Sequence, residues 1–209
     1  MGGRGSGSYT AGAASVSFGG GTSGTDLNIA GWTPEAGSKS VSVGTTVSGA
    51  ESRIKNLDHE QLVVIGTDGY VRAVVDGGAH SVGITPKAAE HMKGNIVTHN
   101  HPNGGTFSPA DIMSGGKMGA GEIRAVSKRF NKTYSLKAGK KADGKGLAKA
   151  MQKAEGKLNK QWQKKLDGMM GRKYKDRDSY DKQAHKYWNN IMGDWLKSNA
   201  GKYGYTYSG

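Results

Sequence analysis

Between residues 60 and 136 the apolar residues come in short, β-branched runs divided by turn signals; beyond Gly146 they recur every three or four positions. Glu60-Gln61-Leu62-Val63-Val64-Ile65 predicts a strand ending at Gly66-Thr67-Asp68-Gly69. Residues 70–75 predict a second, so the two form a hairpin about an Asp-Gly turn. Thr85-Pro86 opens a short helix, with Thr85 as N-cap and Pro86 in the first turn, that stops at Gly94. Ile96-Val97-Thr98 reads as a buried strand running into His99-Asn100-His101-Pro102, and Ser108-Pro109 starts the next helix. Residues 122–126 and 133–136 predict a closing pair of strands, and 51–56 a short helix ahead of the first strand. Strands interspersed with short helices place this part in the α/β (α+β) class, as a mixed sheet with flanking helices. Further on, Leu147, Met151, Ala154, Leu158, Trp162 and Leu166 mark one long helix. Trp188, Ile191, Met192, Trp195 and Leu196 mark a second, and Tyr203, Tyr205 and Tyr207 alternate as in a strand.

The first 50 of the 209 residues read differently: they include 13 Gly and few aliphatics. Such a composition buries too little apolar surface to offset the entropy of ordering. Residues 1–45 are therefore expected to be a flexible Gly/Ser-rich segment, with Leu27, Ile29 and Trp32 as apolar islands able to dock on the body or on a partner. Residues 46–140 form the predicted domain and 141–209 a helical extension.

Charge divides the chain as well. Residues 1–120 hold 8 Lys and Arg against 9 Asp and Glu, whereas residues 121–209 hold 22 against 8. Nucleic acid or an acidic protein surface is the partner expected for residues 121–209. With no cysteine in the chain, a disulfide framework, a Cys-ligated zinc site and a thiol nucleophile are all excluded. No apolar run approaches the roughly 18 residues of a membrane span, and Met1-Gly2-Gly3-Arg4 opens no signal-peptide core. The expectation is a cytoplasmic protein with no membrane partner that is not exported by a secretory signal of its own.

Candidate chemistry gathers in residues 98–111. If 96–101 is a strand, His99 and His101 point to one face, because side chains alternate with period two. A turn through Asn103-Gly104-Gly105 returns the chain over that face, and Asp111 falls in the first turn of the following helix. Two His and one Asp, with water in the fourth position, make an open tetrahedral site of the kind Zn2+ uses for hydrolysis. The same Ser108-Pro109-Ala110-Asp111 also fits a helix capping box, which requires no metal.

His-x-His-Pro, a short glycine loop and Ser-x-x-Asp together resemble the JAB/JAMM (MPN+) metallopeptidase motif. The wording is nearest to RadC-type members and to JAB-like domains of phages and mobile elements. The resemblance covers about residues 50 to 137. It implies zinc held by His99, His101 and Asp111, with Ser108 stabilising the tetrahedral intermediate and an upstream Glu acting as general base. It also implies a protein or peptide substrate, cleaved at a peptide or isopeptide bond. Six residues separate His101 from Ser108 where the family usually has seven, and Gly104 and Gly105 allow the tighter loop. Glu60, at the start of the first strand, is the expected base, with Glu51 as the alternative. The rival reading is a non-catalytic phage or mobile-element binding or assembly protein that works through its basic helices.

Overall fold

The computed structural model describes residues 17–18, 24–29, 43–170, 172 and 174–209. Its strands are β1 (Ser17–Phe18), β2 (Thr25–Asp26), β3 (Gln61–Ile65), β4 (Val71–Asp76), β5 (Val82–Gly83), β6 (Ile96–Asn100), β7 (Glu122–Ser127), β8 (Lys132–Ala138) and β9 (Tyr205–Ser208). The helices are α1 (Val43–Ile54), α2 (Pro86–Met92), α3 (Pro109–Lys117), α4 (Gly144–Asp167) and α5 (Arg177–Asn199), with a 3-10 turn over Ala200–Tyr203. Seven strands form one mixed sheet in the order β2-β4-β3-β6-β7-β8-β9, and β1 pairs separately with β5. The α+β class expected from the sequence is what the chain adopts.

Among the described strands only β6 and β7 run parallel. Parallel neighbours need a crossover, and α3 supplies it by packing across the sheet between them. Helices cover both faces. On one, Val47, Ala50 and Ile54 of α1 pack on Val63, Ile65, Val71 and Val74. On the other, Leu62, Val64, Val97, Ile123 and Leu136 meet Ile112 of α3, Leu147, Met151 and Leu158 of α4, and Met192 and Leu196 of α5. The central strands β3 and β6 are thus buried on both sides, which accounts for the unbroken aliphatic run Leu62–Ile65 of β3. A bulge in β4, where the pairing jumps from Val64–Ala73 to Ile65–Val71, turns Val71 to the α1 face.

Within residues 1–45, β2 pairs with β4, while Leu27 and Ile29 pack against the α1-side cluster. That part of the segment is built into the body rather than flexible; Trp32 and most of the remaining segment lie outside the described residues. Residues 141–209, expected as a helical extension, pack on the same sheet. α4 and α5 share the main core with the sheet, and β9 extends the sheet beside β8. The change in charge along the chain does not coincide with any gap in packing. Among the described residues no helix is long and apolar enough to cross a membrane.

Candidate metal centre

β6 delivers the two histidines. Its register pairs Leu62 with His99, so His99 and His101 share the face of Leu62 and Val97, towards α3. Their Nε2 atoms lie 2.8 Å apart. The chain then turns through Gly104, whose φ of +87° is a left-handed conformation; a Cβ there would meet Arg129 and Phe130. α3 begins at Pro109 over the histidines. Ser108 caps it by accepting from the Asp111 N–H (3.2 Å), while the Asp111 carboxylate accepts from the Ser108 N–H (2.6 Å). The capping box and the ligand role therefore coexist: holding the cap aims the same carboxylate at both rings. Asp111 oxygens stand 3.8 Å from His99 Nε2 and 3.7 Å from His101 Nε2.

This buried His-His-Asp group can hold a metal ion. All three ligand atoms lie within 4.8 Å of one another. His101 Nδ1 lies 3.0 Å from the Gly105 carbonyl, which only accepts, so this nitrogen carries the proton and Nε2 presents its lone pair. Burial, and then the neighbouring His101 ring, depress His99 to about 3, which keeps it neutral. Two imidazole nitrogens and a carboxylate thus converge in a dry site, the donor set of an open zinc centre. Tetrahedral zinc at 2.0–2.1 Å needs ligand atoms about 3.3 Å apart. The separations of 2.8, 3.7 and 3.8 Å bracket that value, so the residues present fit the group.

Glu60 belongs to the same site. Continuing the antiparallel register of β3 and β6 by one further step sets it opposite His101, on the histidine face. It is 5% exposed, and its Oε2 is buried without a hydrogen-bond partner. Burial, and then the Asp111 charge, push it up to about 9. Glu51 does not join the site. It lies on α1 across the sheet, where its carboxylate accepts from Arg124 Nε (2.6 Å), Arg124 Nη2 (3.3 Å) and Thr98 Oγ1 (3.3 Å). Thr98 and His99 are consecutive on β6, so their side chains leave opposite faces.

Sequence reasoning overlooked two asparagines that brace this arrangement. Asn100 donates to His59 O (2.8 Å) and accepts from Gln61 N (2.7 Å), bracketing the backbone of Glu60. Asn189 of α5 donates to Gly104 O (2.6 Å) and accepts from Thr106 N (3.1 Å), bracketing Gly105, whose carbonyl orients His101. The first lies within the His-Asn-His run and had a local signal. The second lies in a polar stretch of a helix far along the chain, with nothing local to mark it.

When the chain is compared with known proteins, no protein family, curated protein or solved structure matches it.

Proposed function

We propose that this chain is a zinc-dependent hydrolase of peptide or isopeptide bonds, of the JAB/JAMM kind its motif resembles. The observation that supports this most directly is the buried His99–His101–Asp111 group with the unpartnered Glu60 oxygen on the same face. Zinc bound there would supply a Lewis acid that polarises a carbonyl and brings the pKa of water down to about 7. The protein's own groups account for the remainder. Glu60 is the acceptor for the proton of the attacking water and the donor to the leaving amine, a bound cation offsetting the Asp111 charge that helps keep this carboxyl protonated in the empty site. Ser108 Oγ spends an acceptor site on the Asp111 N–H, which leaves its O–H to donate to the oxygen that becomes negative. His101, with 11% of its side chain exposed against none for His99 and Asp111, marks the side from which substrate reaches the site.

The test begins with metal analysis of untagged protein. About one zinc per chain is expected, lost in a His99→Ala/His101→Ala double variant. Cleavage of a mixed peptide and isopeptide-linked library should then depend on zinc and disappear in Glu60→Gln while metal is retained. Absence of zinc after reconstitution, or cleavage that survives Glu60→Gln, refutes the proposal.

A further inference from the structure

Part of the basic excess of the second half of the chain is lined up on one helix face. α4 holds seven lysines, at positions 145, 149, 153, 157, 160, 164 and 165, against two acids, Glu155 and Asp167. All seven lysines are exposed. At about 100° per residue, the first six fall within an arc of about 120° on the helix. Leu147, Met151 and Leu158, buried in the core, define the opposite side. Glu155 flanks the apolar side, and Asp167 closes the helix beyond the last lysine. The row from Lys145 to Lys164 is about 28 Å long, with a cation every three or four residues, or about 6 Å. Among the described residues none of these lysines has an ion-pair partner. Repulsion between like charges at i,i+4 opposes helix formation, so this row lowers the stability of the free protein and gains by meeting anions.

We infer that the lysine face of α4 is a docking surface for double-stranded nucleic acid, held through its phosphodiester backbone. The inference goes beyond the hydrolase proposal and does not depend on it. A straight, rigid row of point charges suits a straight, evenly charged rod, and lysine without interleaved arginine suits phosphate contact rather than base reading. Unpaired strands call for aromatic platforms. The indoles here turn inward, with Trp162 and Trp188 packed 5.6 Å apart and Trp162 Nε1 donating to Ala184 O. A membrane surface fits poorly as well, because an interfacial helix inserts its apolar face and that of α4 is already buried in the core.

Fluorescence anisotropy of full-length protein with labelled 20-base-pair DNA and RNA duplexes, titrated across salt, tests the inference. Six phosphate contacts predict a log–log salt slope of about −5 for DNA. Replacing Lys149, Lys153, Lys157 and Lys160 by Gln should make the slope shallower by about 3 to 4 and weaken binding at least about tenfold at 0.1 M salt. The matched control replaces Lys182, Lys186, Lys197 and Lys202, which removes the same charge elsewhere and should leave most of the binding intact. Circular dichroism and thermal midpoints establish that both variants are folded. The His99→Ala/His101→Ala variant should bind like the wild type, which separates this result from the fate of the hydrolase proposal. The DNA and RNA arms show which duplex is preferred. The inference is overturned by any of four results: no duplex binding at low salt, equal loss in the control variant, tighter binding of a single strand, or equal binding of phosphatidylserine vesicles or poly-glutamate.

Discussion

Replacing Glu60 by Gln separates what this carboxyl contributes to chemistry from what it costs the fold. In protein stripped of metal, its folded-state pKa of about 9 lies well above the ordinary 4.5 of the unfolded chain. Above pH 4.5 the unfolded state releases the proton while the folded state keeps it, so stability falls as pH rises towards 9. Each pH unit in that window is worth about 1.4 kcal/mol, which accumulates to on the order of 5 kcal/mol by pH 8. Gln is neutral at every pH and close in shape to the protonated acid. Stripped Glu60→Gln protein should therefore exceed the wild type by several kcal/mol at pH 8 and match it near pH 4.5. His99 supplies the opposite limb. Its folded-state pKa of about 3 lies below the ordinary 6.5, so stability is lost as pH falls from 6.5 towards 3. Between 4.5 and 6.5 the two slopes cancel. The stripped wild type should show a plateau there, with losses on both sides, whereas the variant should keep gaining stability up to pH 6.5 and hold it above that pH. Urea unfolding followed by circular dichroism after EDTA treatment, at pH 4.5, 5.5, 6.5 and 8, measures this. An alkaline decline of the same slope in both proteins, or a variant less stable than the wild type at pH 8, would refute the assignment of Glu60 to a dry site beside Asp111.

Glu51→Gln should leave zinc-dependent cleavage intact yet lower stability by about 2 kcal/mol, since it removes a charged partner of Arg124; thermal melts and cleavage assays read the two effects separately. Asn189→Ala strands Gly104 O and Thr106 N in a buried position. Denaturant titration should show a loss of about 2 to 4 kcal/mol, and competition with a zinc chelator should show metal affinity down about 10- to 100-fold. Asn100→Ala frees the backbone on both sides of Glu60, and its expected effect falls on kcat more than on metal content, measured on the same preparations. Gly104→Ala places a side chain at φ +87° against Phe130, and a lowered thermal midpoint together with weaker zinc retention is the outcome to look for.

Where periodicity was strong, the chain could be read. The short β-branched runs of β3 and β6 and the 3.6-residue repeats of α4 and α5 lie where the pattern puts them, because each buries its apolar positions in the core. The pairing of His99 with His101 followed from strand alternation alone. The choice between Glu60 and Glu51 needed register, since it depends on which face of the sheet each carboxyl meets. The start of α1 at Val43, well ahead of the expected 51, was hidden for another reason. Val43-Gly44-Thr45-Thr46-Val47-Ser48-Gly49 is poor in helix formers, and packing of Val47, Ala50 and Ile54 on the sheet outweighs that deficit. β2 is two residues long and joins an edge through backbone bonds, so composition could not announce it. Nor could any local pattern show that a helix asparagine grips a glycine loop 85 residues earlier.

That last grip also bears on the order in which the protein is made. A chain leaving the ribosome exposes the histidine strand and the Asp111 helix some 80 residues before Asn189 exists to pin Gly104 and Thr106. Until α5 emerges, the loop on either side of the Gly105 carbonyl lacks both Asn189 hydrogen bonds, so the contact that orients His101 is fully braced only once that helix docks. The ligands are thus synthesised well before the last brace on the loop between them, so the centre is complete only when α5 has joined the fold.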